Sequence, residues 1–194
     1  MINPDGVVHG NYRCSLIGRD LNRRWKNPSK ELYPEVYFIK NQIMDTHEKK
    51  QIKMIIDIHG HTQKRKAFFY GCTDRTAPHK TRLFPYLVSK LSSIFDFSSC
   101  NFAMERSKES TARISLYTLI KAPEILTLET SQFGIVDKFL SGDVFQDIAV
   151  TLCKGIAKMY KVGRNPGKIW ENPNSLSLNL RVSSKGNEKE EEEL

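Results

Sequence analysis

The sequence predicts an α/β layered domain, and three observations carry that prediction. Short apolar runs rich in β-branched or aromatic residues, at 53–58, 67–70 and 125–129, read as strands. Segments with apolar residues at three- and four-residue spacing lie between and after them and read as helices. Gly, Pro and Asn cluster at the joints. Strands alternating with helices bury their apolar faces by layering helices onto a sheet. At 194 residues the chain has the length of one domain and can bury a core.

Taken in order, the first 24 residues are dense in turn formers, Asn3-Pro4-Asp5-Gly6 and His9-Gly10-Asn11, and predict a structured loop system. Arg13, Asp20, Asn22, Arg23 and Arg24 surround Leu21 and Trp25 there, and a loop of this length in a compact domain points to function. A solvated basic loop is the plainer alternative. After Pro34, the spacing of Val36, Ile39 and Ile43 predicts a helix with a basic exit through His47 to Lys50, which suits the helix dipole.

Lys53 to Ile58 reads as a central strand covered on both faces, delivering His59-Gly60-His61 to a sheet rim. Ala67 to Tyr70 reads as a second strand, and Leu83 to Phe95 as a helix with Leu87, Leu91 and Ile94 on one face. No period survives between Asp96 and Ala112, which predicts a loop. Ile114 to Ile120 is a helix stopped by Pro123, and Ile125 to Glu129 is a strand ending in a carboxylate, laid out like the strand that ends in His59. From Asp143 to Lys161, Val144, Phe145, Ile148, Leu152, Ile156 and Met159 make the clearest amphipathic helix, capped by Asp143 or Ser141 and stopped at Gly163. The folded domain is therefore expected to run over 1–163. Residues 164–194, ending in a Glu-rich run, lack the apolar content to fold and are expected to be a disordered tail.

The formal net charge is +8. Residues 185–194 hold two Lys against five Glu, a net of −3, which leaves +11 on residues 1–184. Such a balance favours anionic partners. A nucleic-acid role would rest on charge alone, with no reading motif, and is not expected. Four separated cysteines, Cys14, Cys72, Cys100 and Cys153, form neither a zinc ribbon nor a dense disulfide framework, which suits a reduced cytosolic or nuclear setting. Neither a signal peptide nor an apolar run near ~18 residues is present, so no membrane span is expected.

Single residues carry little here: a lone His beside Gly, or a Glu at a strand end, is usually structural. Five motifs in order carry more. Asn3-Pro4-Asp5-Gly6-Val7, Gly10-Asn11-Tyr12-Arg13-Cys14-Ser15, Asp20-Leu21-Asn22-Arg23-Arg24-Trp25, Asp57-Ile58-His59-Gly60-His61 and Leu126-Thr127-Leu128-Glu129-Thr130 resemble the successive signatures of zinc metallocarboxypeptidases. More narrowly, they resemble the cytosolic carboxypeptidase branch, which removes glutamates from tubulin and other acidic tails. The likeness spans roughly residues 2 to 162.

It implies a three-layer α/β/α domain with a mixed central sheet, incomplete on its N-terminal side. It also implies a cytoplasmic protein associated with the cytoskeleton. His59 would be a zinc ligand and His61 a bystander. Arg13 would polarise the scissile carbonyl, Asn22 and Arg23 would hold the substrate's terminal carboxylate, and Glu129 would be the general base. Arg113, in Ser110-Thr111-Ala112-Arg113 where the family has Gly-Thr-Gly-Arg, would meet the acidic side chain, and Tyr117 is the candidate for a substrate-side tyrosine. The family's His-x-x-Glu, which supplies two more zinc ligands, has no counterpart: His9, His47 and His79 are followed three residues later by Tyr12, Lys50 and Arg82. The chain alone is therefore expected to bind zinc weakly and to be inactive, either a part of such an enzyme or a silent binder of acidic tails. An open sheet edge is expected to make the isolated chain poorly soluble.

Overall fold

In the computed structural model, residues 1–73, 76–131 and 142–163 are described; the expected tail from 164 onward lies outside them. The elements are α1 (Pro4–Val8), α2 (Pro34–Lys50), β1 (Met54–His61), β2 (Phe68–Tyr70), α3 (Pro78–Leu91), α4 (Ala112–Ile120), β3 (Glu124–Ser131) and α5 (Gly142–Gly163). Short 3-10 turns lie at Leu21–Arg23, Phe97–Ser99 and Arg106–Lys108.

The sheet order among the described strands is β1-β3-β2, with β1 parallel and β2 antiparallel to β3. The sheet is thus mixed, as the resemblance implies. Its centre is β3, and β1 stands at an edge, which corrects the expectation of a central β1. Alternation explains the correction: Asp57, His59 and His61 occupy one face, and Ile58 on the other is 65% exposed. β1 also extends through His61 instead of stopping at Ile58.

Two apolar clusters flank the sheet. Leu126, Leu128 and Phe69 pack with Phe84 and Val88 of α3 and Val144, Ile148 and Leu152 of α5. On the other face Ile125, with Ile55 beside it, meets Val36 of α2, Ile114, Leu116 and Tyr117 of α4, and Leu21 and Trp25 from the N-terminal loop. The result is a helix–sheet–helix sandwich. Phe145, counted with the core face of α5 from its spacing, is instead 47% exposed, because Val144 and Ile148 already define the buried stripe.

Element ends follow local chemistry. Pro34 and Pro78 open α2 and α3 at their first turns, where a missing N–H costs nothing. α3 therefore begins five residues earlier than its apolar spacing suggests, and it ends at Leu91 because Ser92 is extended. The opening turn motif forms the short helix α1: Asn3 Oδ1 accepts from Gly6 N at 3.2 Å, while Asn3 Nδ2 donates to Cys14 O at 3.0 Å. Gly6 is required there, since a Cβ would lie 2.3 Å from Cys14 O.

Candidate active site

The site lies at the carboxyl ends of the parallel strands β1 and β3, the usual location for ligands in open α/β sheets. His59 and Glu129 are Cα partners in the ladder, so both side chains leave the sheet on the same face. Asp57, two residues before His59, shares that face. His59 Nε2 meets Asp57 Oδ2 at 2.7 Å, a bond that fixes the ring and leaves Nδ1 as the nitrogen able to bind a metal.

Electrostatics tie the cluster together. Burial alone would lower the His59 pKa, but the Asp57 hydrogen bond and the charges of Asp57, Glu129 and Asp20 outweigh it and raise the pKa above its ordinary value. Burial raises the Glu129 pKa, opposed by His59 and assisted by Asp57. A carboxylate held above its ordinary range is a stronger proton acceptor than a solvated one.

Asp20 brings in the N-terminal loop. Its Oδ1 accepts from Asn22 N at 2.8 Å and so caps the 3-10 turn, while Oδ2 lies 3.0 Å from Arg13 Nη2 and 3.9 Å from Arg23 Nη1. Arg13 remains 59% exposed despite this pair, so a ligand can reach it. Asn22 Oδ1 accepts from Ala112 N at 2.9 Å, securing the first turn of α4. Among the described residues, no hydrogen bond runs from its amide Nδ2.

Tyr70, which the sequence left without a role, borders the site at the end of β2. Burial raises its pKa, Glu129 raises it further and Arg113 opposes. The Arg113 guanidinium lies 5.8 Å from the Tyr70 ring centre. Arg113 itself is only 9% exposed, with Nη1 donating to Gly71 O and lying 3.3 Å from Cys72 Sγ. The available signal for Tyr70 was its alternation with Phe68, which puts both on the Glu129 face. Tyr117, by contrast, is buried in the α2/α4 core and does not border the site. His61 uses Nδ1 to accept from Gln63 N at 3.1 Å and Lys64 N at 3.3 Å, holding the turn after β1.

Among the described residues, no group of three or more His, Cys, Asp or Glu side chains gathers to hold a metal. A catalytic zinc needs about three protein ligands. Among the described residues, His59 and its neighbours therefore do not complete a metal site.

This sandwich, with a His–Glu pair at the ends of parallel strands, has the metallocarboxypeptidase fold. Its fold matches a metallo-carboxypeptidase from Burkholderia cenocepacia with a TM-score of 0.71 at 22% identity, covering 83% of this chain and 43% of that one. A Pseudomonas aeruginosa metallo-carboxypeptidase, solved in complex with (2-guanidinoethylmercapto)succinic acid, gives 0.68 at 21% identity, covering 82% and 44%. No family model matches.

Sequence relatives narrow the class. Mouse cytosolic carboxypeptidase 3 is 43% identical over 127 residues, 61% of this chain and 12% of its own length. Cytosolic carboxypeptidase 1 of Danio rerio is 37% identical over 150 residues, 69% of this chain and 13% of its own, and that of Xenopus laevis is 31% identical over 183 residues, 84% and 15%. The chain belongs to the metallocarboxypeptidases, in their cytosolic carboxypeptidase branch. It spans less than a sixth of the length of these relatives.

Proposed function

We propose that this chain supplies the proton-transfer and carboxylate-binding side of a zinc carboxypeptidase that removes glutamates from acidic protein tails, tubulin among them, in the cytoplasm. The observation that carries the reading is the ladder register. It sets His59 beside Glu129, in the field of Asp20, whose turn bears Asn22 and Arg23.

Glu129 takes a proton from the attacking water and returns it to the leaving amine. Arg13, reachable and permanently charged, turns from Asp20 to the scissile carbonyl oxygen and stabilises the developing negative charge. Asn22 Nδ2 and the Arg23 guanidinium take the terminal carboxylate. Arg113 meets the acidic side chain through its remaining donors, beside the Tyr70 ring 5.8 Å away. Lys64-Arg65-Lys66 and the positive charge of the folded part draw such tails in. His59 would be this chain's ligand to a zinc whose other ligands the described residues do not provide, and such an ion would supply a polarised water.

A second reading, a silent binder of acidic tails, draws on the lack of a three-ligand cluster among the described residues. Purified protein, supplied with zinc and an oligo-glutamate peptide, separates the two. Stoichiometric zinc with glutamate release that stops in Glu129→Gln supports the enzyme. No zinc, with salt-sensitive peptide binding lost in Arg23→Ala, supports the binder. Undiminished release in Glu129→Gln removes Glu129 from the mechanism.

A further inference from the structure

α2 carries a lysine inside its core-facing stripe. Val36, Ile39 and Ile43 pack into the α2/α4 cluster, and Lys40 lies four residues after Val36 on the same side of the helix. Among the described residues, its half-buried ammonium meets no carboxylate. Nζ donates instead to Trp25 O and to Lys26 O, each at 2.8 Å. Burial lowers its pKa, the cost of holding a cation where an apolar side chain would sit more easily.

The backbone it grips is the exit of the carboxylate-binding turn. Three bonds tie that segment to α4 and its approach: Ala112 N to Asn22 Oδ1 at 2.9 Å, Trp25 N to Ser110 O at 3.0 Å and Ser115 Oγ to Trp25 O at 2.9 Å. Lys40 ties the same segment to α2. Held from both helices, residues 20–26 cannot rotate as a unit, and the Asn22 and Arg23 side chains keep their spacing from His59. With the Lys40 bonds gone, the packing of Leu21 and Trp25 against Val36 would remain, but the Trp25 and Lys26 carbonyls would lose their hydrogen bonds to α2.

We propose that Lys40 is a positioning residue: by clamping the Trp25 and Lys26 carbonyls onto α2, it sets the pose in which Asn22 and Arg23 receive a substrate's terminal carboxylate. The inference rests on the carboxylate-binding reading of Asn22 and Arg23 given above. Lys40 touches no substrate itself.

Two substitutions test it. Lys40→Met keeps the stem and removes the donors, and Lys40→Arg keeps a cation able to donate. The amides of Asn22, Arg23, Arg24 and Trp25 are all hydrogen-bonded, so their exchange with solvent reports the turn directly. In Lys40→Met those four are expected to exchange about tenfold faster while β3 amides keep their protection, and Lys40→Arg should retain most of the slow exchange. An oligo-glutamate peptide with a free terminal carboxylate should bind Lys40→Met about tenfold more weakly, with an amidated peptide unaffected.

Unchanged exchange in the turn overturns the clamp. Faster exchange throughout β3, or a Lys40→Met chain that does not fold, also overturns it, because either marks a role in global stability. A loosened turn that still binds the free-acid peptide at full strength overturns the positioning role. If the native protein does not distinguish the free-acid from the amidated peptide, the reading of Asn22 and Arg23 fails instead, and exchange alone decides whether Lys40 holds the turn.

Discussion

Replacing Gly155 with alanine pits two effects of opposite sign against each other at the α3–α5 crossing. In an unhindered helix interior the change stabilises by about 1 kcal/mol. Here a Cβ would lie 2.8 Å from Val88 Cγ2 and 3.2 Å from Phe84 Cε2. Overpacking of this kind costs roughly 1–3 kcal/mol, and the outcome depends on whether the neighbours can move. They are poorly placed to do so. Val88 and Phe84 are fully buried, Phe84 sits edge-on to Phe69 at 5.9 Å, and Phe69 stacks on Phe95. The overlap should therefore win, with a net loss of about 1 kcal/mol. For a chain of this size that lowers Tm by about 2–4 °C. Thermal unfolding followed by circular dichroism measures it, and Val88→Ala supplies the control. Deleting the 2.8 Å neighbour should make Gly155→Ala neutral or stabilising in that background, a non-additivity of at least ~0.5 kcal/mol. A rise in Tm for Gly155→Ala alone refutes the close crossing.

Other outcomes follow from single groups. Asp96 Oδ1 accepts from Ser98 N at 2.9 Å and Ser98 Oγ at 2.6 Å, and Oδ2 accepts from Ser99 Oγ at 2.6 Å. Burial raises its pKa, yet these bonds outweigh that and hold it below the ordinary 3.8. Its contribution is present above pH 3.8 and lost as pH falls through the folded value, so Asp96→Asn should cost roughly 0.5 kcal/mol at neutral pH and nothing in strong acid. Equal losses at both pH values in urea titrations refute this. Burial pushes the Cys100 thiol up to about 12, and Cys72 is also buried. At pH 8 a thiol reagent should modify exposed Cys153 first and spare Cys72 and Cys100 until the chain unfolds; early loss of Cys100 by mass spectrometry counts against its burial. The open edge of β1, with Ile58 65% exposed, should make the isolated chain self-associate, and sedimentation as a monomer at high concentration would contradict that.

The strands and the long helices were legible because their apolar residues recur at the right period. Ile125 to Leu128 announced β3 through side chains that a sheet buries on both faces. β1 was misjudged in rank and length for a related reason: its second half alternates polar and apolar, as one-sided strands do, and the apolar first half masked that. Phe145 fits a helical stripe by spacing, but only packing against α3 decides which apolar side chains of α5 are buried. The site residues were readable as motifs, whereas their mutual bonds were not. Nothing in Asn22 signals that its carbonyl oxygen secures Ala112, 90 residues later. Tyr70 and Lys40 escaped notice because each looks ordinary until the sheet and the turn bring its partners to it.

Ladder register has a further consequence for the chemistry. Met54 and Ile56 pack with the α3/α5 cluster, while Asp57 and His59 stand on the opposite face of the same strand. Sliding β1 by one residue against β3 would turn Ile56 and Ile58 toward Glu129 and drive both polar groups into apolar packing. The methyl groups beneath the sheet thus act as an indexing pin for reactive groups they never touch. Variation at Met54 or Ile56 would then surface as a fault in alignment at His59, and the fit of this buried face is as much a determinant of the site as the residues that line it.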